Sequence, residues 1–143
     1  MKRILENMQP FALLMLRAVL GLVMAAHGWM KVDGGIPSFK GFLVTIGIPG
    51  WMGYLAAYGE FLGGILLLIG LLTRFAGLTI LIIMVVAIVK VAWKNGLIGP
   101  QGYAFPLALA AMAFTLIFFG GGSISLEHAI FGGGGGGKKG PGK

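Results

Sequence analysis

The stretch Met52–Leu72, MGYLAAYGEFLGGILLLIGLL, limits what this chain can be. It is apolar almost throughout and about 20 residues long, the length a helix needs to cross a bilayer core. One charged residue, Glu60, sits well inside it. A carboxylate at that depth is costly unless it is paired, protonated or turned toward water, so Glu60 is a candidate functional residue. Gly59 and Gly63 flank it at a small-xxx-small spacing that admits another helix at close range.

The rest of the composition agrees with a membrane chain. Of 143 residues, 57% are hydrophobic and 10% charged, too few polar groups to cover a soluble domain of this size. The reading is one integral membrane domain. With no cysteine, the chain has no disulfide, thiol catalysis, or cysteine-ligated iron–sulfur or zinc centre of its own. The net charge of +7 comes from bases in loops and tails flanking apolar spans, a pattern of membrane orientation rather than of nucleic-acid binding. The first apolar span exceeds a signal-peptide core and no A-x-A-like site follows it, so no cleavable leader is expected.

Four spans are expected. Residues 1–9 read as a short polar start, with Pro10 as a first-turn residue of a helix continuing to about Met30. Arg17 and His27 interrupt that span. Residues 31–50 are too rich in Gly and Pro to cross, but Pro37–Ile46 has the pattern of a short helix at the membrane interface. Met52–Leu72 is the second span, Thr73-Arg74 a tight connection, Phe75–Trp93 the third span and Tyr103–Phe119 the fourth. Ser123–Phe131 is expected to add one or two helical turns, and residues 132–143, GGGGGGKKGPGK, to form a flexible Gly/Lys-rich tail. The fold class is therefore an all-α integral membrane four-helix bundle with a short interfacial helix between spans one and two. Gly21, Gly59, Gly63 and Gly64 are the expected helix-packing positions.

Depth can be compared by counting from the outer edge of antiparallel spans. Arg17 lies ten residues before His27, and Glu60 nine after Trp51. Both then fall about 15 Å below that edge, and an Arg17–Glu60 pair is expected there. It reads equally as a structural lock or as part of a site. Nearer the outer face, His27, Tyr54, Lys90 and Tyr103 come from four different spans to one layer and, with Glu60 below, outline a candidate ligand pocket. The plainer readings are a snorkelling Lys90 and belt tyrosines. No nucleophilic triad, phosphate loop or metal-ligand cluster is present in the sequence, so no catalytic or metal-binding residue is assigned.

The order Leu16-Arg17-x-x-Leu20-Gly21, His27-Gly28-x-x-Lys31 and Gly47-Ile48-Pro49 resembles the start of DoxX-like membrane proteins. Glu60-x-x-Gly63-Gly64, Gly70-Leu71-x-Thr73-Arg74 and Gly120-Gly121-Gly122-Ser123-Ile124-Ser125-Leu126-Glu127 continue the likeness, over roughly residues 10–131. By position, Arg17, His27, Lys31, Glu60 and Arg74 carry the family pattern. The resemblance implies a four-helix membrane bundle associated with redox complexes, including a thiosulfate:quinone oxidoreductase. Many relatives have a histidine where this chain has Ala92-Trp93, and an acid after the Gly-Tyr where it has Ala104.

Together these point to a small membrane subunit of an electron-transfer complex with a quinone-type site at Glu60 and His27 and no intrinsic cofactor. The alternative is a non-catalytic assembly subunit of a larger energy-converting complex. Expected partners are the lipid bilayer and other membrane subunits. The expected location is the inner membrane of a bacterial or archaeal cell. Lys2, Arg3, Arg74, Lys138, Lys139 and Lys143 outnumber Lys31, Lys40, Lys90 and Lys94 on the other side, which puts both termini in the cytoplasm.

Overall fold

In the computed structural model, which describes residues 1–132, the chain is all helix and turn. Helix α1 spans Lys2–Met30 and is joined by a kinked segment, Lys31–Gly35, to the short α2, Ile36–Thr45. Then come α3, Met52–Ile69, α4, Thr73–Ala87, and α5, Ala104–Phe119. Three segments are long and apolar enough to cross a membrane: the α1–α2 segment, α3, and α4 with its continuation to Asn95. The expected fourth span is α5, an apolar helix of 16 residues that packs along α4 and completes the bundle.

Local chemistry places the breaks. At Gly34, φ of 88° takes a conformation that side chains disfavour, and Pro37 in the first turn of α2 suits a helix start. Gly70 ends α3 in the left-handed region, where its N–H and that of Leu71 both bond to Leu66 O at 2.8 and 2.9 Å. Helix α4 loosens into a π-turn over Ile88–Ala92 and a 3₁₀ turn over Trp93–Asn95.

Several boundaries differ from expectation. Residues 1–9 are the first turns of α1 rather than a separate polar start, and all are exposed. Pro10 therefore lies inside the helix. It removes the bond to Glu6 O, which the exposed overhang leaves open to solvent. Thr73 and Arg74 open α4 instead of forming a connection, because the turn is made one residue earlier by Gly70–Leu72. The expected tail lies outside the described residues from 133 onward.

The tightest packing is between α1 and α3, which run antiparallel. A Cβ on Gly28 would lie 2.3 Å from Phe61 N, one on Gly21 2.7 Å from Gly64 O, and one on Gly64 2.4 Å from Ala25 N. These glycines put backbone against backbone, the contact that substitutes for hydrophobic driving force in lipid. Gly59 and Gly63 make looser contacts, with the side chains of Ile83, Thr79 and Ile80 on α4. Midway along the bundle, Leu20, Met24, Leu67, Ile80 and Leu116 form an apolar layer, each at most 1% exposed.

Candidate functional site

The α1–α3 register decides which charged groups meet. Gly28 faces Phe61, so Glu60 lies across from the outer end of α1. Helical side chains lean toward their own N-terminus. Lys31 therefore leans back into the bundle, Glu60 leans outward, and the two converge. Lys31 Nζ donates to both carboxylate oxygens, at 2.7 Å to Oε1 and 2.8 Å to Oε2. Glu60 is 3% exposed and Lys31 27%, and this is the one ion pair among the described residues. The ammonium also sits 4.4 Å from the ring centre of Phe39 on α2.

The expected Arg17–Glu60 pair does not form. Arg17 precedes Gly28 by eleven residues, which is about 16 Å of helix, and its side chain leans the other way. The depth count took His27 as the outer edge of span one. The observed register sets Gly28 against Phe61 and Gly21 against Gly64, so Glu60 stands opposite the last turn of α1 rather than its middle.

The four outer-layer residues find separate neighbours. His27 is exposed, one helical turn before Lys31 and so on the same face. Its Nδ1 lies 2.8 Å from Val23 O. A carbonyl only accepts, so Nδ1 is the donor of this bond. The ring packs 5.8 Å from that of Phe105 on α5. Tyr54 lies under Lys40, whose Nζ is 4.9 Å from its ring centre, beside a groove of about 450 Å³ that Val32, Gly34, Ile36 and Pro37 also line. Tyr103 stacks on Trp93 at 5.2 Å. Lys90 is exposed on the π-turn after α4. The structure therefore joins Lys31 and Glu60, and gives His27, Tyr54, Tyr103 and Lys90 neighbours of their own.

Arg17 belongs to a second cluster at the opposite, terminal end. It is 2% exposed and its Nη1 donates to Gly121 O at 2.5 Å. Glu127 is the carboxylate whose charge acts on it, beyond ion-pair contact. Glu127 Oε1 accepts from Gly121 N at 2.9 Å and Oε2 from Thr73 N at 3.3 Å, so the carboxylate sits on the positive N-terminal end of α4. Glu127 N also donates to Gly70 O at 2.9 Å. Gly70 and Gly121 leave no room for a Cβ, with Arg17 Cζ and Glu127 Oε1 at 2.9 and 2.6 Å. Arg17 Nε and Thr73 Oγ1 are buried without a partner among the described residues. One carbonyl, one carboxylate and two glycine turns thus join α1, α4 and the segment after α5.

Sequence reasoning missed Lys31 as the partner of Glu60, and missed Thr73, Gly121 and Glu127 as the setting of Arg17. The glycines Gly21, Gly28 and Gly64 were the available signal, because aligning them gives the correct register. Among the described residues no three His, Asp or Glu gather as a metal site would require.

Comparison with known proteins bears on the same residues. The family model described as DoxX matches residues 12–93, which contain Arg17, His27, Lys31, Glu60 and Thr73. A Bacillus subtilis protein named "Putative oxidoreductase CatD" is 30% identical over 124 residues, 87% of this chain and 90% of its own length. An uncharacterized protein of Haemophilus influenzae is 31% identical over 131 residues, 89% of this chain and 96% of its own. No solved structure gave a match.

Proposed function

The chain belongs to the DoxX family, and on that premise we propose that it is a small membrane subunit linked to electron transfer, holding the headgroup of a quinone-type carrier beside Glu60 and His27. The observation that carries this reading is the Lys31–Glu60 pair, a buried carboxylate held by a partly exposed ammonium. Buried ionisable groups inside a membrane bundle mark ligand and proton sites more often than they mark packing. A quinone needs hydrogen-bond donors at its carbonyls and two protons for every two electrons accepted.

Two Lys31 donors engage Glu60, which leaves the third for a carbonyl oxygen. Glu60 then serves as the proton carrier and His27 Nε2 as the exchange point with the aqueous face. Electrons come from a partner subunit that carries a redox centre. The oxidoreductase name of the Bacillus relative supports the redox link. On this reading the assembly lies in the inner membrane of a bacterium or archaeon with both termini cytoplasmic, the orientation that the count of Lys and Arg in the sequence supports.

The test is purification from native membranes with whatever partners remain bound, followed by assays of quinone content and turnover. Glu60→Gln is expected to lower both about tenfold, the value of one charge-assisted hydrogen bond. Unchanged binding and turnover would overturn the reading. A second reading, a non-catalytic assembly subunit, is favoured by one observation: Lys31 already answers the Glu60 charge within the chain. In that case partner subunits co-purify without quinone, and Glu60→Gln affects only how well they are retained.

A further inference from the structure

At the terminal end an open groove of about 410 Å³ is lined by Arg74, Phe119, Gly120–Gly122, Glu127, His128 and Phe131. Among the described residues its one permanent cation is Arg74, in the first turn of α4. A cation there is opposed by the helix dipole, so its position calls for a compensating contact. Part of that comes from Ile117 O in the last turn of α5, to which Arg74 Nη1 donates at 3.2 Å. This bond pins the guanidinium across the mouth of the groove.

Gly120 makes the position possible: a Cβ there would stand 3.2 Å from Arg74 Nε and 3.5 Å from Nη2. The Nε–Nη2 edge is thus presented along a turn with no side chain to cover it. Among the described residues no carboxylate lies within ion-pair distance of Arg74. The nearby Glu127 is committed elsewhere, with both oxygens accepting N–H groups of Thr73 and Gly121. His128 adds a second donor at the rim.

Above this polar floor, Phe119 and Phe131 are each 66% exposed. They stand where α5 ends and α4 begins, the level at which a membrane-spanning helix passes from hydrocarbon to headgroups. A planar two-donor edge matches the oxygens of a phosphate ester, and aromatic walls match the start of acyl chains.

We infer that this groove binds the phosphate of a membrane phospholipid, with an anionic headgroup preferred and the acyl chains lying along Phe119 and Phe131. A soluble phosphate would use Arg74 equally but would gain nothing from the two rings. The site is independent of the Lys31–Glu60 end and of any redox role.

Native mass spectrometry of the full-length protein, in micelles doped with equal phosphatidylglycerol and phosphatidylcholine, provides the test. The wild type is expected to retain phosphatidylglycerol in preference to phosphatidylcholine. Arg74→Gln is expected to reduce its retention about tenfold, the loss of a charge-assisted bidentate contact. Arg74→Lys keeps the charge without the fork and should retain an intermediate amount, which provides a readout should Arg74→Gln fold poorly. Arg3→Gln, on the exposed overhang, should change little. Equal retention by wild type and Arg74→Gln overturns the proposal. So does an Arg3→Gln loss as large as that of Arg74→Gln, which would mean diffuse attraction. Inorganic phosphate displacing the lipid at millimolar concentration would overturn the lipid assignment.

Discussion

The two ends of the bundle each bury a charge, and they neutralise it by different means. At the outer end two long side chains, Lys31 and Glu60, meet directly and cancel as a pair. At the terminal end Arg17 meets a backbone carbonyl, and Glu127 meets two backbone N–H groups. The outer pair depends on two residues and one helix contact. The terminal cluster depends on the course of the chain after α5 and on glycines that let backbone reach the charges. A side-chain pair can be exchanged as a unit, whereas a backbone-mediated clasp cannot be restored by changing its two charged members.

The largest expected effect tests that distinction. Lys31→Met leaves Glu60 buried without its partner and should cost about 3–5 kcal/mol in thermal or denaturant unfolding in detergent. Adding Glu60→Gln should recover most of the loss. If the double variant is as unstable as the single, the outer end is not an exchangeable pair. Next is Gly28→Ala, whose Cβ meets Phe61 backbone; about 1–3 kcal/mol is expected, against less than about 0.5 kcal/mol for Gly59→Ala, which meets only side chains that can yield. Equal effects at the two glycines would contradict the α1–α3 register.

At the terminal end, Glu127→Gln keeps an acceptor for one N–H and loses the charge at the start of α4. About 1 kcal/mol is expected, and Arg17→Met should add to it rather than reverse it. Recovery in that double variant would make the two ends alike. The smallest effect belongs to Thr73→Val. Its hydroxyl is fully buried with no partner among the described residues, so an isosteric apolar replacement should leave stability within about 0.5 kcal/mol or raise it. A clear loss would show that Oγ1 has a partner in the membrane-embedded protein.

Much of the architecture was readable from the chain. Long apolar runs with glycine and proline between them place α3, α4 and α5, and the Pro37–Ile46 pattern falls within one residue of α2. Glu60 was legible as an unusual acid because nothing around it in sequence is charged. Its partner was not, since choosing between Arg17 and Lys31 requires the register of two helices. The chain kinks at Asp33 and Gly34, as those residues signal, but α1 keeps its helical backbone through Lys31, so the end of span one lies beyond His27. The Arg17 cluster was the least legible, because Gly121 and Glu127 are more than a hundred residues away and the groups that meet Arg17 and the Glu127 carboxylate are backbone groups. The outer-layer reading of Tyr54, Lys90 and Tyr103 placed them at the correct end, but shared depth does not bring side chains on different helices into contact.

The apolar layer of Leu20, Met24, Leu67, Ile80 and Leu116 separates the two charged ends. It acts as a dielectric partition: an ion or proton entering it from either end gives up its hydration and finds no polar side chain of that layer to replace it. On the proposed function, protons used at Lys31 and Glu60 would be drawn from, and returned to, one aqueous compartment. Turnover at that end would be electrically silent across this chain, and any contribution to a transmembrane gradient would have to be made by another subunit.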